Sequence, residues 1–235
     1  MIAETGSTNT EFSARIASGE GAPEGEWLVA DRQTAGRGRL GRGWLDGAGN
    51  FMGSTAVTLK AGDPPPQTLA LLTGLALHQT VAAFHPGETL KLKWPNDLLL
   101  DGAKLAGILL ERVGDTVIVG IGVNLAAAPQ LPDRQTIALA DIGAAPDRDS
   151  FARELVVQFA SELQRWRDTG VPALLRRWQA VAHPEGTRLS VSPPGEAAIS
   201  GRFVGLDDEG NLRLQLTDGA LRTIHAGDVM LADER

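Results

Sequence analysis

The sequence predicts an α+β fold: a mixed sheet flanked by helices in residues 1–182, followed by a small β-barrel in residues 183–235. Three observations point there. The apolar run Leu69–Phe84 is interrupted by Thr73, Gly74, His78, Gln79 and Thr80, so it is short for a membrane span and reads as a buried core helix. Residues 90–124 hold four strand-like runs, with Asp101-Gly102 and Gly114-Asp115 as two-residue turn signals. After His183 the texture changes to short strands and tight turns, which suggests a closed barrel with protected edges.

Taken in order, Thr8-Asn9-Thr10-Glu11 has the form of a capping box, with Phe12 and Ile16 at i, i+4 and Gly19 as a stop, predicting a helix over 8–18. Residues 27–30 read as a strand, 31–50 as a loop and 51–59 as a second strand. Pro64-Pro65-Pro66 breaks the chain ahead of the core helix, 67–84. Strands follow at 90–94, 97–100, 104–113 and 116–124, then a linker rich in Ala and Pro over 126–147. Phe151, Leu155, Phe159, Leu163 and Trp166 mark the apolar face of one helix, and 172–182 forms another. The terminal strands are 187–191, 197–206, 211–216, 221–225 and 229–231, with Asp208-Glu209-Gly210 and Asp218-Gly219 as hairpin turns.

Composition narrows the function. At 235 residues, 43% hydrophobic and 22% charged, the chain is of ordinary globular make-up. It has no cysteine, which excludes disulfides, thiolate metal sites and cysteine nucleophiles. The N-terminus lacks the basic and apolar regions of a secretory signal, so a cytoplasmic protein with no membrane partner is expected. A net charge of −7 argues against a nucleic-acid partner.

Against that acidic background, residues 36–44 (Gly-Arg-Gly-Arg-Leu-Gly-Arg-Gly-Trp) put Arg37, Arg39 and Arg42 into a loop with four glycines. The glycines let the backbone approach a ligand, and three guanidinium groups suit phosphate or carboxylate oxygens. On this reading the arginines gain partners only when an anion arrives. Gly36, Gly38 and Gly41 also satisfy the spacing of a dinucleotide fingerprint. That reading fails on context, since residues 44–50 cannot open a helix and no Asp or Glu occurs over 47–61 to hold a ribose.

Only four lysines occur among 22 basic residues, and Lys91, Lys93 and Lys104 fall close together. Lys93-Trp94-Pro95-Asn96-Asp97 reads either as a hairpin corner with a solvated lysine face or as a nucleotide pocket edge. In the second reading Lys93 meets phosphate and Asp97 holds Mg²⁺ through water. Gly120, Gly122 and Asn124 share one strand face, a bare floor against which a flat ligand can lie, and Gly107 extends it from the next strand. Strict alternation aims Lys104 away from Gly107, so its use in this pocket requires a turn position or a bulge. Placed near the Asp101-Gly102 turn, it is expected to be accessible and to support little of the core.

Together these strings resemble the biotin protein ligase family. The pattern runs through Ser7-Thr8-Asn9, Gln33 with the arginine-glycine loop, residues 93–97, residues 104–109 with Glu111, and Gly120, Gly122 and Asn124, in that order. The resemblance covers nearly the whole chain and implies a class II synthetase-like catalytic domain with an SH3-like C-terminal barrel. It implies two steps: the biotin carboxylate attacks the α-phosphorus of ATP to give biotinyl-5′-AMP, and a lysine of a biotin carboxyl carrier domain of a carboxylase then takes the acyl group. Ser7, Thr8, Asn9 and Gln33 would bind the ureido ring. Arg37, Gly38 and Arg39 would fold over carboxylate and adenylate, and Arg42 and Lys93 would reach the phosphates. Asn96, Asp97 and Asn124 would face nucleotide and Mg²⁺, Lys104 the carboxylate–phosphate junction, and Gly107, Gly120 and Gly122 the floor. Lys104, Arg39 and Lys93 would be the catalytic group.

Two departures from the family pattern stand out. The chain starts almost at Ser7-Thr8-Asn9, with no preceding helix-turn-helix, so no repressor role is expected. No aromatic residue occurs over 126–149, so adenine contacts from this segment fall to aliphatic residues such as Leu131 or Ile137, or that side stays open. The rival readings are a lipoate ligase or octanoyl transferase and a non-catalytic biotin-binding regulator. Monomer and homodimer both remain open.

Overall fold

The computed structural model describes residues 1–231 apart from Asp46 and Glu88; residues 232–235 of the predicted C-terminal module lie outside the described residues. A seven-stranded mixed sheet forms the body, in the order β1 (Ile2–Thr5), β2 (Trp27–Gln33), β3 (Phe51–Thr58), β7 (Thr116–Val123), β6 (Ala103–Val113), β5 (Asp97–Leu100), β4 (Leu90–Lys93). Among the described residues the β1–β2 ladder is parallel and the other ladders of this sheet are antiparallel. β1 is absent from the sequence expectation because four residues at a sheet edge carry too short an alternation to register.

The two faces of the sheet do different work. Phe51 on one face meets Phe151 of α3 (Arg148–Val181), with ring centroids 5.7 Å apart. Ser54, of opposite parity on the same strand, faces α1 (Thr8–Ala17). The apolar helix α2 (Leu69–Phe84) packs with α3 on the first face, so the second face is left to α1 and to a cavity. α3 unites the two expected helices. They abut at Gly170, whose φ of 69° and ψ of −172° interrupt the helix two residues before Pro172.

The capping box does not form. Ser7 is the N-cap, Thr8 lies inside the helix, and Glu11 instead accepts from the Thr5 hydroxyl at 2.8 Å.

The C-terminal strands form a five-stranded antiparallel sheet: β11 (Leu221–Ile224), β10 (Leu212–Gln215), β9 (Ile199–Leu206), β8 (Arg188–Ser192), β12 (Asp228–Leu231). β11 and β12 are its two ends, so backbone pairing does not close the barrel among the described residues. The start of β12 is committed elsewhere: the Gly227 carbonyl and the Asp228 carboxylate accept from side chains of the arginine-glycine loop, and the Val229 carbonyl from Lys93 at the end of β4. Leu189, Val191, Phe203, Leu212 and Leu214 belong to the same apolar core as Leu92 and Trp178. The Trp94 indole N–H donates to the Gly210 carbonyl at 2.9 Å across that junction.

Candidate active site

A cavity of about 350 Å³ opens on the α1 side of the sheet, with a neutral end and a cationic end. At the neutral end, Gln33 Oε1 accepts from the Thr8 backbone N–H at 2.8 Å and from its hydroxyl at 3.1 Å. Ser54 Oγ donates to Asn9 Oδ1 at 2.6 Å and lies 2.7 Å from the Thr8 hydroxyl. Asn9 Nδ2 donates to Glu111 Oε2 at 2.8 Å. Ser7, Thr8, Asn9 and Ser54 are all buried, and Ser7 lines the cavity beside them. The network fixes the Asn9 and Gln33 carboxamides before a ligand arrives.

The glycine floor is covered rather than bare. A Cβ on Gly122 would stand 2.3 Å from the Trp44 indole, and one on Gly107 3.2 Å from it. A Cβ on Gly120 would meet Asn9 Oδ1 at 2.3 Å. These glycines therefore admit Trp44 and Asn9, and a ligand meets those side chains above the sheet. The Trp44 indole N–H is buried without a partner.

The arginine-glycine loop is a closed hairpin. Gly38 N–H donates to the Arg42 carbonyl at 2.7 Å, and Trp44 N–H to the Gly36 carbonyl at 2.9 Å. Leu40 (φ 56°) and Gly41 (φ 73°) make its tip. Contrary to expectation, all three arginines already have partners. Arg37 pairs with Glu111 at 3.1 Å. Arg39 donates to Asn96 Oδ1 at 3.2 Å and to the Gly227 carbonyl at 3.4 Å. Arg42 makes two bonds to Asp228, at 2.8 and 3.2 Å. Burial pulls the Arg39 guanidinium below its ordinary pKa, against attraction from Asp97 and Asp228.

Lys104 reaches the cavity through a β-bulge. Leu98 pairs with Ala106 but Leu99 with Lys104, so β6 advances two residues for one on β5. The bulge turns Lys104 to the side of Gly107. Its Nζ lies 2.6 Å from Asp97 Oδ1 and 6.0 Å from the Trp44 ring centroid. Its side chain is only 18% exposed, less accessible than expected. Lys93 is placed otherwise: it is not on the cavity wall, and its Nζ is held by Asp97 at 3.0 Å and by the Val229 carbonyl at 2.9 Å. As the last residue of β4, opposite Asp97, it points towards the C-terminal sheet.

Asp97 departs from the metal-binding expectation. Burial alone would raise its carboxyl, but the Lys104 and Lys93 ammonium groups outweigh that and hold its pKa down at about 2. A carboxylate already shared by two ammoniums is a poor cation ligand, and no cluster of acidic or histidine ligands occurs among the described residues. Asn96 is pinned by Ile108, donating to its carbonyl at 2.6 Å. Asn124 Nδ2 donates to the Lys104 and Ile137 carbonyls at 3.4 and 3.2 Å, leaving its buried Oδ1 unpartnered.

From the linker, Pro129, Leu131, Asp133, Arg134 and Thr136 line the cavity, whereas Ile137 packs against the core. Sequence reasoning missed Trp44, Ser54, Arg134 and Asp228 as site residues. Trp44 ends the loop motif and could have been taken with it; the others sit in stretches without a motif.

A sequence profile of the Biotin/lipoate A/B protein ligase family matches residues 3–125, and one of the biotin protein ligase C terminal domain matches residues 194–231. The chain belongs to that ligase family. It is 40% identical to the biotin--[acetyl-CoA-carboxylase] ligase of Mycobacterium tuberculosis over 98% of this chain and 87% of that one. It is 38% identical to the enzyme of the same name from Paracoccus denitrificans, over 92% and 93%. The structure of the Aquifex aeolicus biotin protein ligase in complex with biotin and ATP superposes with a TM-score of 0.84 at 26% identity, covering 99% and 97% of the two chains. Within the family the chain therefore stands with the biotin protein ligases, and its small terminal sheet is their SH3-like module.

Proposed function

We propose that the protein activates biotin with ATP as biotinyl-5′-AMP, releasing pyrophosphate, and transfers the acyl group to the amine of a lysine of a biotin carboxyl carrier domain, as in an acetyl-CoA carboxylase, releasing AMP. The observation that carries this reading is the division of one cavity into a neutral hydrogen-bonding end and a cationic end. A ligand with a neutral ureido ring and an anionic tail matches that division. Thr8 and Asn9, preset by Ser54, and Gln33, preset by Thr8, would hold the ring against Trp44.

The tail carboxylate and the ATP α-phosphate repel one another, and attack adds charge to the phosphorus oxygens. Lys104 and Arg39 would stabilise that charge, since preorganised donors in a water-poor site cost no reorganisation during reaction. Arg42 would meet the phosphates. Asn96, Leu131 and the free Oδ1 of Asn124 would face the nucleoside. Lys93 acts through Asp97, holding the carboxylate that fixes Lys104. Mg²⁺ would come with the ATP phosphates rather than be held by Asp97. Residues 1–182 would serve as the catalytic unit and 183–235 as the module that closes its phosphate side, in a cytoplasmic enzyme.

The test is biotin-dependent exchange of labelled pyrophosphate into ATP, followed by transfer to a carrier domain. Exchange with lipoate or octanoate in place of biotin would reassign the substrate. Biotin binding without exchange would leave a regulator.

A further inference from the structure

The linker between β7 and α3 is tied down where it crosses the cavity. Lys104 N–H donates to the Gln135 carbonyl at 2.9 Å, and Ile137 N–H to the Lys104 carbonyl at 3.1 Å, so residues 135–137 run as a parallel bridge beside the start of β6. Alternation about that bridge puts Arg134 and Thr136 on the cavity side and Ile137 in the core. The Arg134 side chain is only 11% exposed, low for an arginine in an irregular segment. Its guanidinium bonds to Asp133 and reaches Asp228 Oδ2 at 3.3 Å, the same oxygen that Arg42 holds at 2.8 Å. Two guanidinium groups thus meet at one carboxylate beside the cationic end of the cavity, Arg42 through two nitrogens and Arg134 through Nη2, while its Nε and Nη2 also bond Asp133.

We infer that Arg134 binds the phosphate chain of the nucleotide opposite Arg42, and that the Asp228 carboxylate stands between them where a phosphate group will sit. The inference rests on the adenylation reading for its ligand. A planar guanidinium suits paired oxygens of a carboxylate or phosphate alike, so a group held by Asp228 without nucleotide is already oriented for the exchange. Both arginines come from different segments, residues 36–44 and the linker, so a polyphosphate between them would join those segments over the product.

The test is titration of the wild type, Arg134→Ala, Arg134→Lys, Asp228→Asn and the Arg134→Ala, Asp228→Asn double variant with ATP, pyrophosphate, adenosine and biotin separately. Direct binding reads Arg134 whether or not biotin is activated, while biotin-dependent pyrophosphate exchange by the wild type tests the adenylation reading alone. Loss of one charge-assisted contact predicts that Arg134→Ala binds ATP and pyrophosphate about ten- to a hundredfold more weakly. Biotin and adenosine affinities should stay unchanged, and Arg134→Lys should recover part of the loss. Asp228→Asn, which removes the competing carboxylate, should bind pyrophosphate at least as tightly as the wild type. Unchanged ATP and pyrophosphate affinity in Arg134→Ala overturns the inference. So does an equal loss for adenosine, which would mean stacking on the base, or an equal loss in Asp228→Asn with no further loss in the double variant, which would mean that Arg134 only holds Asp228.

Discussion

A methyl group at Gly122 would stand 2.3 to 2.8 Å from three atoms of the Trp44 indole, so the ring and the side chain cannot share that space. Gly122→Ala should therefore expel Trp44 from the floor. Overpacking of this kind costs about 1–3 kcal/mol, and biotin affinity should fall roughly five- to a hundredfold if the ring forms one wall of the site. Calorimetric titration showing wild-type affinity would separate Trp44 from the ligand. Lys104 carries the second argument at this scale. Lys104→Gln removes a donor aimed at the reacting oxygens, and adenylation should slow about a hundred- to a thousandfold. The variant should also lose about 1–3 kcal/mol of stability, because buried Asp97 keeps only Lys93 as a cationic partner. Full exchange activity in this variant would remove Lys104 from the chemistry.

Between residues and the whole, three short segments meet along one wall of the cavity: the bulged start of β6, the end of β7 and the linker. Asn124 ties them through its bonds to the Lys104 and Ile137 carbonyls, while its own N–H donates to the Leu105 carbonyl at 3.0 Å. Asn124→Ala should loosen the linker, raising the KM for ATP roughly tenfold by loss of about 1–2 kcal/mol of hydrogen bonding, with the biotin dissociation constant unchanged. An equal loss for both substrates would place Asn124 under the ring instead. The long strands were legible because β6 and β7 are apolar runs set off by the Asp101-Gly102 and Gly114-Asp115 turns, and α2 because it is apolar all round. The bulge was legible only as a requirement. Nothing in Lys104 or Leu105 encodes it, and it follows from how β5 and β6 meet. The capping box misled because a buried glutamine 25 residues away competes for the Thr8 hydroxyl. The arginine loop announced its charge, but Asp228, Glu111 and Asn96 are partners that only the fold brings near. Lys93 is the complementary case. Alternation placed it on a strand face, while the C-terminal sheet, invisible to that local pattern, decided what it would meet.

At the scale of the molecule, one apolar core spans both sheets, and the junction contains a histidine with no hydrogen-bond partner for its buried Nε2. His183 follows α3 and precedes β8, and burial together with Lys93 and Lys91 pushes its pKa down from 6.5 to about 4. The unfolded chain then binds more protons than the folded one between those two values. Stability is full above about pH 6.5 and is lost as pH falls towards 4. Asp97 adds a second step in the same direction: its pKa falls from 3.8 to about 2 on folding, so its contribution is lost only in that lower window. Thermal melts of the wild type should thus decline in two phases on acidification. His183→Gln keeps a polar side chain of similar reach without the titration, and should reduce the loss between pH 6.5 and 4, to which His78, lowered by burial, also contributes, while leaving the phase below it. The Trp94 and Trp178 side chains lie beside His183 at this junction. Their fluorescence should therefore report whether the first phase is a local loosening of the C-terminal sheet or whole-chain unfolding. Parallel pH profiles for wild type and His183→Gln would mean that His183 takes its proton without disturbing the junction.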